Sequence, residues 1–186
     1  MRPESSIIFL DIDGVLNCQL LFEERQISKK SKQKEVKKDQ ISRLEYYQSM
    51  LCPKRVKWLN SVCEETKADV VLSSSWRIGK TVQEMQDILD SVGATFKIIS
   101  FTPNLGYARG VEIYEWLKKS IIYEVHGYHY FNFRKYVIID DDSDMLLNQA
   151  PHFFQTDAYS GLTPNLCFRI KQFLKLQVND TDSLPF

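Results

Sequence analysis

The chain has 186 residues, 44% of them hydrophobic, which is enough to bury a substantial core but short for two domains of ordinary size. Its 24 basic and 24 acidic residues balance, so no overall field draws it to nucleic acid or membrane, and any affinity for a polyanion must be local. No apolar stretch reaches the length of a membrane span, the N-terminus has no signal-peptide pattern, and Cys18, Cys52, Cys63 and Cys167 show no CxxC or zinc spacing, which together predict free thiols in the cytoplasm.

In chain order, the first element is a short apolar run, Ile7 to Leu10, that stops at Asp11 and Asp13 and is followed by Gly14, a strand running into a tight loop. Residues 17–52 interrupt the strand-to-helix pattern with a segment rich in lysine: Lys29, Lys30, Lys32, Lys34, Lys37 and Lys38. That segment reads either as a solvated loop or as a contact for a phosphate backbone. Pro53 suits a first helical turn, with Val56, Leu59, Val62 and Cys63 on one face behind it. A second strand, 68–73, ends in Ser73-Ser74-Ser75-Trp76-Arg77. Thr81 with Glu84 makes a capping box for a helix carrying Val82, Met85, Ile88, Leu89 and Val92, which Gly93 can terminate. A third strand is expected over 94–100, then a helix with Ile113, Trp116, Leu117 and Ile121.

Tyr123 to Arg134 combines rings and cations as nucleobase-stacking surfaces do, although packing beneath a loop explains it as well. His126 and His129 have ligand-like spacing, but no third partner nearby completes a metal site. The fourth strand, 135–140, ends in Asp140-Asp141-Asp142-Ser143-Asp144, and a fifth, 152–156, precedes a helix opened by Thr163-Pro164 with Leu166, Ile170, Phe173 and Leu174 inward. Alternating strands and helices predict an α/β fold, a doubly wound parallel sheet of about five strands.

Carboxylates delivered to one rim of such a sheet repel one another unless a cation shares them, and hard oxygen ligands suit Mg²⁺. Because the cation also neutralises phosphate, phosphoryl transfer is the natural chemistry. Taken singly, each acidic run would also serve as an ordinary strand cap, but that does not account for the two occurring together. An EF-hand is excluded, since counting from Asp11 puts Gly14 at the fourth position, Val15 at the fifth and Phe22 where Glu belongs.

The run Asp11-Ile-Asp13-Gly14-Val15-Leu16 resembles motif I of the haloacid dehalogenase (HAD) superfamily of phosphohydrolases. Val70 to Arg77 resembles its motif II, and Val137-Ile-Ile-Asp140-Asp141 its motif IV, in the family's order. The SSSWR run, Arg109-Gly110-x-Glu112-Ile113 and Gly161-Leu162-Thr163 further resemble the HAD branch named for Swiss Army Knife RNA repair proteins. The resemblance implies a HAD-like Rossmannoid fold in one domain, 1–186, with residues 17–52 as a small cap or flap insert that leaves the site open to a large substrate.

It also implies roles. Asp11 would be the nucleophile, forming an aspartyl-phosphate, and Asp13 the acid and base. The carboxylates of Asp11 and Asp141, with the backbone carbonyl of Asp13, would hold Mg²⁺, while Asp140 and Asp144 would be further ligands or support them. Ser74, or failing that Ser73, would donate to the phosphoryl group. Arg77 would either fork onto phosphate or form a surface salt bridge. Trp76 reads as core or site wall. For the family's motif III basic residue, usually a lysine, Arg109 is the candidate, with Lys80, Lys118 and Lys135 as alternatives. The implied activity is Mg²⁺-dependent hydrolysis of a phosphomonoester, with nucleic-acid or nucleotide ends as the implied substrate. The other readings are a phosphatase for small metabolites or phosphoproteins, or a binding module on the same scaffold. No membrane association or obligate protein partner is expected.

Overall fold

Strand β1 (Ile7–Leu10) is buried on both sides, which explains why it reads as an unbroken apolar run rather than an alternating one. The computed structural model describes residues 6–32, 42–120, 122–125, 128–131 and 135–176. After β1 come α1 (Gln19–Lys32), α2 (Arg43–Met50) and α3 (Pro53–Thr66). Next are β2 (Asp69–Leu72), a short 3₁₀ turn at Ser75–Arg77, α4 (Val82–Asp90), β3 (Ile98–Phe101) and α5 (Arg109–Ser120). The hairpin β4 (Ile122–Val125) and β5 (Tyr128–Phe131) follows, then β6 (Tyr136–Asp140), a 3₁₀ turn at Leu147–His152, β7 (Phe153–Gln155) and α6 (Pro164–Leu176).

The main sheet has five strands in the order β3-β2-β1-β6-β7, and every pairing is parallel. Successive side chains of β1 point to opposite faces. Ile8 and Leu10 join Val56, Leu59, Met85, Leu89, Leu166 and Ile170 of α3, α4 and α6. Ile7 and Phe9 join Ile113 and Trp116 of α5 on the other face, where the Phe9 and Trp116 rings meet edge to face at 5.2 Å. Helices cover both faces, so the sheet is doubly wound as expected.

The chain runs from β1 to β2 on one side and later returns to β6 on the other, so strand order reverses at β1. Ligands of open α/β sheets bind outside the C-terminal strand ends at such a reversal. Register brings the motif ends together there: Leu10 lies opposite both Leu72 and Ile139, so Asp11, Ser73 and Asp140 emerge side by side.

Two expectations need correction. The third strand is Ile98–Phe101 rather than 94–100, because Phe96 is buried in a loop whose backbone is satisfied by a side chain. Gln86 donates to the Phe96 carbonyl at 3.0 Å and accepts from the Ile98 N–H at 2.8 Å, which substitutes for a ladder. The segment from 122 to 131 contains an antiparallel hairpin that the sequence reading did not anticipate. The side chains of that aromatic segment, with His126 and His129, lie outside the described residues, as do those of Lys29, Lys30, Lys32, Lys34, Lys37 and Lys38.

Between β1 and α3, helix α1 is anchored at its start by backbone bonds from Gln19 and Leu20 to the carbonyls of Ala158 and Tyr159. Helix α2 carries a capping box of Ser42 and Glu45 and buries none of its residues. Among the described residues, no helix is long and apolar enough to cross a membrane.

Candidate active site

The turn after β1 is wound tightly around the Ile12 carbonyl, which accepts from the N–H groups of Val15, Leu16 and Asn17. Gly14 sits in the left-handed region, φ +64°, and a Cβ there would fall 2.3 Å from the Asp141 carboxylate. This close approach of two loops is what lets motif I and motif IV share a site. Thr156 at the end of β7 completes the junction, donating its hydroxyl to the Gly14 carbonyl at 2.8 Å.

Asp11, Asp140 and Asp141 form a cluster in which one carboxylate oxygen from each lies within 4.8 Å of the others. Asp11 and Asp140 are almost fully buried, and Asp141 is half-buried. Burial pushes the Asp11 carboxyl up to about 6, against the pull of Arg109 and of the Ser74 hydroxyl bonded to it. Burial and the neighbouring Asp11 charge push Asp140 up to about 7, and burial also raises Asp141. One Asp140 oxygen accepts from the Asp142 N–H at 3.0 Å, while the other, Oδ2, is buried with no hydrogen bond.

Arg109, the first residue of α5, reaches into this cluster. Its Nη2 lies 3.3 Å from Asp11 Oδ1 and its Nε 3.2 Å from Asp140 Oδ2. The alternative cations are placed elsewhere. Lys80 donates to the Trp76 carbonyl and lies over the Tyr47 ring, Lys118 pairs with Glu115, and the Lys135 carbonyl accepts from Ile7 at the opposite end of the sheet. Asp144 lies outside the acidic cluster, in the supporting position that was one of its two expected places. Its carboxylate accepts from the Arg109 N–H at 2.7 Å and thus caps the helix that delivers Arg109.

Of the three serines, Ser74 faces Asp11 and also caps the 3₁₀ turn by accepting from the Trp76 N–H, whereas the Ser73 hydroxyl is buried without a partner. Arg77 takes neither of its expected roles, because its donors are already committed within the protein. Nε donates to the Thr102 carbonyl, Nη1 to those of Ser73 and Ser74, and Nη2 to the Pro103 carbonyl and to Glu112 at 2.5 Å. The pair is buried, with side-chain exposures of 5% and 6%, so it is a brace for the motif II loop rather than a surface bridge. A backbone loop with several inward carbonyls needs a planar multi-donor group, which only Arg provides.

Asp13 is exposed, and two side chains that the sequence did not mark as partners hold it. Asn17 Nδ2 donates to its Oδ1 at 2.7 Å, and Trp76 Nε1 to its Oδ2 at 3.0 Å. Asn17 also accepts from the Gly14 N–H, so one amide ties the carboxylate to its own turn. The only sequence signal for these contacts was the place of Trp76 inside motif II and of Asn17 directly after motif I.

The oxygen-only donor set, the raised carboxyls and a buried Asp140 Oδ2 that has the Arg109 ion pair but no hydrogen bond all fit a hard divalent cation such as Mg²⁺. Without it, the folded chain retains protons that the unfolded chain has released between the ordinary carboxylate range near 4 and about pH 7, so stability falls as pH rises through that window. The chelated protein should therefore melt higher at pH 5 than at pH 8. Saturating Mg²⁺ at pH 8 should raise the midpoint by about 5–10 °C, a smaller gain being expected at pH 5. A differential scanning calorimetry series over pH checks this, and a Mg²⁺ effect independent of pH would contradict it.

Gly14→Ala tests the loop junction. The Asp141 carboxylate can swing away from the new methyl group, but its Cβ, 2.7 Å from it, moves only with the motif IV backbone, so the fold should lose about 1–3 kcal/mol to strain at positive φ and more to the shift of that loop. Displacement of Asp141 should also cost the metal site, weakening Mg²⁺ binding by about 10–100-fold in calorimetric titration.

A parallel Rossmannoid sheet with paired acidic loops at its switch point is the architecture of the HAD class. The sequence profile of the family described as the HAD domain in Swiss Army Knife RNA repair proteins matches residues 7–166, and the chain belongs to that family. No curated protein and no solved structure matches the chain significantly.

Proposed function

We propose that this protein is a Mg²⁺-dependent phosphomonoester hydrolase working through an aspartyl-phosphate on Asp11. The observation that carries the reading is the grouping of Asp11, Asp140 and Asp141 under Arg109, with Asp13 held at the open side of the same turn. Membership of a HAD family supports it.

The Asp11 carboxylate attacks phosphorus as the bond to the leaving oxygen breaks, and that oxygen takes a proton from Asp13. Asp13, now ionised, removes a proton from a water that attacks the phosphorus of the aspartyl-phosphate. The bond to Asp11 then breaks, releasing inorganic phosphate and restoring both carboxyl groups. Bound to Asp11, Asp141 and the Asp13 backbone carbonyl, with Asp140 close by, Mg²⁺ would supply positive charge against the phosphoryl oxygens. Arg109 adds a cation to the same face of the cluster, and Ser74 orients Asp11 and can turn its hydroxyl to a phosphoryl oxygen.

The family's description associates such domains with RNA repair, and we take phosphorylated nucleic-acid ends as the substrate class. The test is Mg²⁺-dependent phosphate release from an aryl phosphate, 5′- and 3′-phosphorylated oligonucleotides, nucleotides, sugar phosphates and phosphopeptides. Preference for an oligonucleotide is expected. Preference for a sugar phosphate or phosphopeptide would overturn the substrate class but keep the chemistry, and absence of turnover on the entire panel would overturn both.

A further inference from the structure

We infer that Trp76 is a positioning residue for the acid-base step, and that through it the exposed helix α2 steadies Asp13; this rests on the chemistry proposed above. Asp13 is the one site carboxylate that lies exposed, on a turn whose backbone bonds leave its side chain free to rotate. A general acid must be aimed within a few tenths of an ångström of the leaving oxygen, so an exposed carboxylate needs external restraint. Asn17 restrains one oxygen from within the same turn. The Trp76 indole N–H restrains the other, at 3.0 Å, from 63 residues away and from a different strand end.

Trp76 is itself fixed on three sides. Its backbone N–H caps onto the Ser74 hydroxyl, and Ser74 also bonds Asp11, so the nucleophile and the acid are oriented from one turn of chain. The Trp76 carbonyl accepts from Lys80 Nζ at 2.9 Å. Its ring lies against Tyr47 of α2, with centroids 5.3 Å apart, and Tyr47 is covered in turn by the Lys80 ammonium at 4.6 Å and flanked by Arg43 at 5.9 Å. Helix α2 buries no residue of its own, so this aromatic and cationic cluster is a main point at which the segment after β1 grips the sheet side of the site. Tyrosine in the cluster is a packing partner, while the indole N–H faces the reacting side. A tryptophan whose only task was packing would not need that donor.

Two variants separate the donor from the packing. Trp76→Phe keeps a ring against Tyr47 and removes the N–H, and benzothienylalanine at position 76 is close to isosteric with the indole but carries sulfur in its place. The readout is kcat/KM for aryl phosphates and alkyl phosphates of increasing leaving-group pKa, with thermal midpoints taken in parallel. Protonation matters most for poor leaving groups, so both variants should lose about tenfold or more on an alkyl phosphate and clearly less on a nitrophenyl ester, with melting midpoints near wild type. Asp13→Asn should show the same leaving-group trend with a larger amplitude. A uniform loss across all esters in both variants would overturn the inference, since it would mean Trp76 serves the fold alone. If Asp13→Asn itself showed no leaving-group trend, the assignment of Asp13 as the acid would fail instead, which distinguishes the two failures.

Discussion

Asp11→Asn is expected to lower Mg²⁺-dependent phosphate release by about 10⁴-fold or more while leaving a folded protein. The amide is nearly isosteric with the carboxylate but cannot form the acyl phosphate, and losses of this size or greater are usual when a covalent nucleophile is removed. Asp13→Asn should cost about 10²–10⁴-fold, the range for a single acid-base group. The two variants should also part in stability. Asp11 is buried beside Asp140 and its charge raises the proton affinity of that neighbour, so Asn at position 11 removes one of three crowded charges. Metal-free Asp11→Asn should therefore melt a few degrees above wild type at pH 8 and respond less to Mg²⁺, since one ligand is gone. Asp13 is exposed and offers no such relief. Turnover by Asp11→Asn within tenfold of wild type would overturn the covalent route.

The fold was legible where burial alone shapes the sequence. β1, β2 and β6 carry apolar residues on both faces because helices cover both, and their runs stop where the acidic or hydroxyl side chains begin. The helices announced themselves through the Thr81–Glu84 capping box and the stripe of Met85, Ile88 and Leu89. The third strand was misplaced because Phe96 is buried without being in a strand, and periodicity cannot see that Gln86 satisfies its backbone. The hairpin β4–β5 was missed although two four-residue runs rich in Tyr, Val and Phe flank only His126 and Gly127, a hairpin pattern read instead as a composition.

For the site, the acidic cluster was legible as residues at strand ends, and so was Arg109 as a cation at the start of α5. Partnerships across long sequence separations were not. Nothing local tells that Trp76 meets Asp13, that Asp144 caps Arg109, or that Glu112 waits 35 residues beyond Arg77. Such pairs follow from the sheet order, which juxtaposes the loops after β1, β2, β3 and β6. The Arg109-Gly110-x-Glu112 run has a physical reading once that order is known. Arg109 enters the acidic cluster, Gly110 admits the Leu146 backbone, where a Cβ would stand 2.4 Å from its nitrogen, and Glu112 braces motif II.

The second large effect concerns that brace. Arg77→Ala should destabilise the fold by about 3–5 kcal/mol, because it strands the Glu112 carboxylate in a site where its exposure is only 6% and also releases the carbonyls of Ser73, Ser74, Thr102 and Pro103. In a chain of this length such a loss lowers the melting midpoint by about 10 °C or more. Glu112→Gln should cost less, since the single amide oxygen keeps one of the two bonds, from Arg77 or from the Leu105 N–H, while the NH2 group displaces the other. Combining Arg77→Ala with Glu112→Gln should be less than additive, because the second change removes the charge that the first leaves unpaired. Activity should fall with the brace, as Ser73 and Ser74 lie on the loop it holds, but the fall should appear in kcat more than in KM. A residue that gripped substrate phosphate directly would behave in the opposite way, with an unchanged melting midpoint and a raised KM. Chemical denaturation and steady-state kinetics on the same three variants decide between the two, and the geometry favours the brace because Arg77 spends all its donor groups inside the protein.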